Sequence, residues 1–332
     1  MDSLASFKAD GYPGAVSRRN LIEWGLSLAS ALALGRALPF LESPALGAER
    51  ARLEVAYAGS MAPVMEGPLL EAARRELGFD LVGRAQGSLA LARLIVAGVL
   101  SPDVFVTVTA RPAELVLEAG KADCAYPFAR TELVIAYSPR SRFRRALDDA
   151  AKAEVSAGAW RNVLTQAGFR FGRTDPRVDP LGLNIIFAME LAARYYHDVE
   201  LVRRVLGEPL NPAQIFSEPE LMARLEAGQL DASAAYLTQP LAFKLPYIAL
   251  AREVNLGDEQ MFDFYRQVSV ELEGKTYRPE PLLFYALALK PSAQAAAASR
   301  FVRWLLGEQA RAIFERYGYR SVARKTVLCR RR

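Results

Sequence analysis

The sequence is poor in the residues from which most catalytic and metal centres are built. Its 332 residues include one histidine and two cysteines. That excludes a histidine cluster and a cysteine-based zinc site, both of which need several imidazoles or thiolates around one ion. No basic run is interleaved with aromatics, so single-stranded nucleic acid is not an expected partner. No solenoid-type repeat is visible. An exported chain could pair Cys124 with Cys329. Two separate thiols, buried or in the tail, are the plainer expectation, and the sequence leaves pairing open.

What is present describes a well-filled globular protein. Hydrophobic residues make up 52% and charged residues 24%, enough for a core and more consistent with two lobes than one. The net charge is +5. The basic residues are scattered, apart from Arg330-Arg331-Arg332 and the stretch Ser138–Arg145. Such a surface suits an anionic ligand, although a plain arginine-rich exterior explains it as well.

The N-terminus carries Arg18-Arg19 after Ser17, then a moderately apolar stretch, Leu21 to Phe40, then the small residues Ala45, Gly47 and Ala48. This is the layout of a twin-arginine export signal. Glu23 and Arg36 depart from the pattern, and Arg36 argues against a stable membrane span. No cysteine lies near its end, which argues against a lipid anchor. Residues 1–48 are accordingly set aside as the signal, and the mature protein is expected to be periplasmic or extracytoplasmic.

Beyond it, strand-like runs alternate with helix-like ones. Leu53–Ala58, Phe79–Arg84, Asp103–Ala110 and Glu132–Ser138 read as strands, with helices at Pro63–Leu77, Ser88–Ala97 and Ala113–Ala119. This rhythm predicts a mostly parallel sheet covered by helices. It restarts after Ser138 with helices near 159–167, 184–196 and 219–227, strands near 230–237, 247–256 and 281–290, and one closing helix. Two α/β units in series, the second feeding back into a last strand and helix, predict two lobes with a ligand cleft between them. The boundaries read as 49–131 for lobe I, 132–242 for lobe II, and 243–332 for the return to lobe I.

Two junctions are punctuated alike: Gly59-Ser60 ends the first strand and Gly87-Ser88 the second. A helix start leaves backbone N–H groups unpaired and carries a partial positive charge. Glycine lets an anion approach the backbone, and serine adds a hydroxyl donor. Each could be an ordinary serine cap; together they suggest an oxyanion cradle. A third junction, Asp179-Pro180, is a standard helix start that should face the same cleft. Tyr236 offers a phenol there, unless it is a core tyrosine.

The stretches "AGS" at 58–60, "QGS" at 86–88, "PFARTELVIAYSPRS" at 127–141, "FRFGRTDPRVDPLG" at 169–182, "LEAGQLDASAAY" at 225–236, the long run 245–290 and "FERYGYRSV" at 314–322 keep a family's order and spacing. Through them the chain resembles the molybdate/tungstate-binding solute receptors of ABC importers, especially their tungstate/molybdate branch. The resemblance implies a type II periplasmic-binding-protein fold: two α/β lobes closing on one oxyanion, without cofactor or catalysis. It implies that Gly59, Ser60, Gly87 and Ser88 bind from lobe I, with Asp179 and Tyr236 from lobe II. A monomer handing its anion to a membrane permease, with no nucleic acid, is the expected assembly. In the family's tungstate branch a glutamate precedes the tyrosine and joins an aspartate in a six-coordinate metal centre. Ala235 stands there in this chain. The expectation is therefore a tetrahedral anion held by hydrogen bonds, with Asp179 as cap or sole metal ligand.

Three rival readings remain. Another oxyanion such as sulfate, or another anionic solute, would use the same cleft. An enzyme would need a base beside Ser60 or Ser88. No G-x-S-x-G elbow frames either serine, and His197 lies beyond the far end of the helix that follows Asp179. The sensing half of a transcription regulator would call for a helix-turn-helix segment where an export signal stands.

Overall fold

The computed structural model describes residues 51–323 and 326–330; the export signal read in residues 1–48 lies outside the described residues. The chain opens with β1 (Ala51–Ala58), β2 (Phe79–Gln86), β3 (Val104–Val108) and β4 (Cys124–Arg130). It crosses at Thr131-Glu132 to β5 (Leu133–Tyr137), β6 (Phe171–Gly172), β7 (Ala232–Tyr236) and β8 (Tyr247–Ala249). A hairpin, β9 (Val270–Leu272) and β10 (Lys275–Tyr277), leads to β11 (Leu283–Ala288); β12 (Leu328–Cys329) closes the tail.

Two main sheets result. One is ordered β12-β4-β11-β3-β1-β2, the other β6-β7-β5-β8. The two-lobed α/β architecture follows, with a correction to the sheets, which are mixed rather than mostly parallel. β1 runs parallel to β2 and β3, whereas β11 runs antiparallel to β3 and β4, and β5 antiparallel to β7 and β8. The reason is the crossing itself: a strand that re-enters a sheet from the other lobe arrives in the opposite sense. The return also starts later than residue 243, because β8 still pairs with β5.

Period-two alternation sends side chains to opposite faces of the first sheet. Val55, Tyr57, Val104 and Val106 pack into one apolar cluster; Ala56, Phe105, Tyr285 and Leu287 pack into the other. Both faces are thus covered, as expected of a sheet layered between helices.

Local chemistry explains the other differences. The first helix is interrupted: a 3₁₀ turn (Gly59–Met61), a short α-turn and a wider π turn (Met65–Leu69) precede the regular Leu70–Leu77 helix. Pro68 lies in the π turn, which accommodates a residue lacking an N–H. The closing helix is two helices, Ala295–Leu305 and Glu308–Arg316, parted at Gly307, whose backbone is extended. β4 contains Tyr126 and Pro127, and no alternating run announces it in the sequence. Cys124 and Cys329 form a disulfide, so the expectation of separate thiols is corrected. β12 pairs with β4 at just this point, which brings the two sulfurs together.

Candidate functional site

The carboxyl ends of β1 and β2 lie side by side, because the strands pair in register from Ala51–Phe79 to Ala58–Gln86. Both glycine-serine junctions therefore open on one spot. Gly87 precedes the Ser88–Val96 helix with φ −53° and ψ 128°. Ser88 is buried, and its Oγ accepts from the Val108 N–H at 3.4 Å. Ser60 is buried too, and its hydroxyl has no hydrogen-bond partner. An orphaned buried hydroxyl is costly in a folded protein, and the Ser60 oxygen is one of six buried side-chain polar atoms without a partner among the described residues.

Lobe II presses directly on these junctions. The Ala90 N–H donates to the Val178 carbonyl at 3.1 Å. Asp179 caps the Pro180–Tyr195 helix, its Oδ1 accepting from the Leu181 N–H at 2.9 Å. Its Oδ2 lies 3.0 Å from where a Cβ on Gly87 would stand, so the glycine is what admits the carboxylate. Asp179 is buried, and burial pushes its pKa up to about 6, against the pull of the Leu181 N–H and the Thr174 hydroxyl.

A second carboxylate mirrors the first. Glu218 begins the Glu218–Ala227 helix and is buried. A Cβ on Gly59 would stand 2.4 Å from its Oε2. Burial raises its pKa well above the usual range; the Asp179 charge raises it further, and the Ser60 backbone N–H opposes both. Two carboxylates of lobe II thus face the two glycine-serine helix starts of lobe I. Each meets the positive end of a helix or turn, which is where a negative group is best tolerated.

Tyr236 ends β7 and is fully buried, with its Oη accepting from Asn184 Nδ2 at 2.9 Å. Burial, then the charges of Asp179 and Glu218, push its phenol well above the ordinary value, so it stays a neutral donor. Gln239 accepts from the Tyr236 N–H at 2.9 Å, and its amide lies 3.5 Å from Glu218. All six residues expected from the sequence, Gly59, Ser60, Gly87, Ser88, Asp179 and Tyr236, therefore converge.

Ala235 is buried in the middle of the β5–β7 pairing, opposite Val134. Glu218, which the sequence reading did not single out, stands as a second buried carboxylate beside Asp179. Its only signal was "SEPELM", where a glutamate before proline reads as a helix start favoured by the dipole. His197 is exposed, just past the end of the Pro180–Tyr195 helix opposite to Asp179. It therefore lies too far along that helix to serve Ser60 or Ser88 as a base.

Residues 53–320 match the family described as bacterial extracellular solute-binding protein. The molybdate/tungstate-binding protein of Pyrococcus abyssi is 26% identical over 294 residues, 81% of this chain and 84% of that protein. Among solved structures, the periplasmic molybdate-binding protein of Azotobacter vinelandii superposes with a TM-score of 0.56 at 18% identity, covering 81% of this chain and 99% of that one. The sulfate-binding protein of Mycobacterium tuberculosis gives 0.56 at 12% identity, covering 82% and 88%. These structures share the two-lobed fold, and fold alone does not choose an anion. With the family match spanning nearly all of the described residues, the chain belongs to the bacterial extracellular solute-binding proteins, the receptors of ABC importers.

Proposed function

We propose that the receptor binds one small tetrahedral oxyanion, tungstate or molybdate, between Ser60, Ser88 and Tyr236 on one hand and Asp179 and Glu218 on the other. The observation that carries this reading is the buried, partnerless Ser60 hydroxyl at a helix start facing Glu218. The anion bridges donors that the open protein presents on separate lobes, so its binding favours closure. The closed receptor docks on a membrane permease, which takes the anion as the lobes part.

The carboxylate pair sets the anion class. A dianion beside two buried carboxylates concentrates negative charge in a low dielectric, which is prohibitive unless the charges are shared or neutralised. Molybdenum and tungsten accept oxygen ligands beyond four, so carboxylate oxygens can bond the metal and share the charge. Sulfur in sulfate does not. Glu218 thus supplies, from another helix, the carboxylate that Ala235 lacks, and the coordination is six-fold rather than the tetrahedral one expected from sequence. The second reading, a sulfate receptor held by hydrogen bonds, is supported by the raised pKa of Asp179, since a protonated carboxyl donates to sulfate; it requires acidic conditions.

The receptor works as a monomer exported by the twin-arginine route. The Cys124–Cys329 disulfide supports an oxidising compartment. Calorimetric titration with tungstate, molybdate and sulfate at neutral pH tests the assignment, with X-ray absorption at the tungsten edge reading the coordination number. Six oxygen neighbours in the wild type and fewer in Glu218→Gln are expected. Preference for sulfate, or four-coordinate tungsten in both proteins, refutes it.

A further inference from the structure

Beside the buried carboxylates, the lobes line a second compartment, open to solvent. Its volume is about 1070 Å³, in the range of pockets that hold drug-sized organic molecules, roughly 300–1,000 Å³. A single tetrahedral ion fills a small fraction of such a space.

Its lining is amphipathic. Arg93, Arg111, Arg266, Lys275 and Arg278 supply five cations against one carboxylate, Glu280. That is a local excess of four, close to the +5 of the entire chain. Glu280 is already committed, accepting from the Ala110 and Arg111 N–H groups at 2.8 and 3.0 Å. Arg111 lies 3.5 and 3.6 Å from Glu118 and Glu114. Among the described residues, Arg93, Arg266, Lys275 and Arg278 form no ion pair with a carboxylate; Arg278 reaches only the Arg266 carbonyl, at 3.5 Å. The same lining includes Leu89, Leu183, Phe187 and Phe262, and the Arg266 guanidinium sits 5.6 Å from the Phe262 ring centre. Unpaired cations sharing a compartment with aromatic and aliphatic side chains complement a molecule with an anionic group on an apolar body, and not a bare inorganic ion.

We propose that this compartment is a second ligand site, for an organic acid whose carboxylate, sulfonate or phosphate group meets the arginines and lysine while its aromatic or acyl body lies against Leu89, Leu183, Phe187 and Phe262. The site adjoins the oxyanion cradle, since Leu89 and Pro180 of its lining follow Ser88 and Asp179 directly in the chain. Asn184 lines the compartment, but its amide is engaged with Tyr236.

The test is calorimetric titration of the mature chain with 2-naphthalenesulfonate, in the presence and absence of saturating molybdate, with neutral 2-naphthol as control. One equivalent of the sulfonate should bind whether or not molybdate is present, and 2-naphthol at least tenfold more weakly. The variant Arg266→Glu/Lys275→Glu, altered at two exposed positions, should lose at least about tenfold in sulfonate affinity. Arg93→Glu, in the Ser88–Val96 helix, should weaken it as well, whereas Ser60→Ala should leave it unchanged. Circular dichroism checks that each variant is folded. The proposal is overturned by absence of binding, by equal binding of 2-naphthol, by indifference to the charge reversals, or by displacement with molybdate. It is likewise overturned if the reversals only slow molybdate association, for the cations would then merely steer the inorganic anion. Because the sulfonate is read by itself, the outcome stands whether or not the oxyanion assignment holds.

Discussion

Replacing Gly87 with alanine should separate ligand affinity from the stability of the unliganded protein. The residue's φ of −53° and ψ of 128° are open to any L-amino acid, so the substitution introduces no backbone strain. The new Cβ would instead stand 2.8 Å from the Val178 carbonyl oxygen, 0.6 Å inside the 3.4 Å where ordinary contact begins. It would also meet the Asp179 Oδ2 at 3.0 Å and Cβ at 3.2 Å. All three atoms belong to the other lobe, and one is backbone that cannot swing aside. Overpacking of this kind costs about 1–3 kcal/mol. The cost falls on the closed form alone, because opening the lobes removes the contact. Oxyanion affinity should therefore drop about 5- to 150-fold, while the melting temperature of the unliganded protein stays within a degree or two of wild type. Calorimetric titration and differential scanning calorimetry read the two quantities. An affinity within twofold of wild type, or an equal loss of stability without ligand, would show that Gly87 does not lie at a closing contact.

Other substitutions carry signs of their own. Ser60→Ala removes a buried hydroxyl that lacks a partner, so the unliganded protein should gain up to about 1 kcal/mol while tungstate binding weakens at least tenfold; a loss of both in thermal melts and titrations would mean the hydroxyl is structural. Asp179, with its pKa raised from 3.8 to about 6, contributes stability to the closed form that is full below pH 3.8 and lost as pH rises through about 6. That two-unit shift is worth about 3 kcal/mol, and Glu218 shifts the same way. Small-angle scattering of unliganded protein should accordingly show opening as pH rises from about 4 to about 6, suppressed in Asp179→Asn; a more closed protein above pH 6 would contradict the sign. Reducing Cys124–Cys329, which closes a loop across 205 positions, should cost at most about 5 kcal/mol, seen as a lower denaturation midpoint under reductant; an unchanged midpoint would show that the tail adds nothing to the fold.

Much of this protein is legible in its sequence because β1 and β3 are rich in apolar and β-branched or aromatic residues, and because each glycine-serine pair follows its strand at once. What is hidden depends on contacts between distant segments. The antiparallel sense of β11 follows from the chain's passage through the other lobe. β4, with Tyr126 and Pro127 in its middle, is a strand because β11 and β12 flank it. Glu218 looks like one more acidic residue in a first helical turn. Nothing local announces that Gly59, far away in the chain, leaves room for its carboxylate. Ala235 carries the same lesson, since the buried carboxylate nearest in kind to the one it lacks begins a helix 17 positions earlier.

The tail strand β12 also closes one border of the larger sheet. It is two residues long and is the outermost strand on one side of the larger sheet. Without it, β4 would offer seven residues of backbone to any passing strand, the kind of template on which chains stack. A very short border held by a covalent bond and followed by arginines leaves little to extend. Trimming the last few residues should therefore matter least for catching an anion and most for remaining in solution at high concentration.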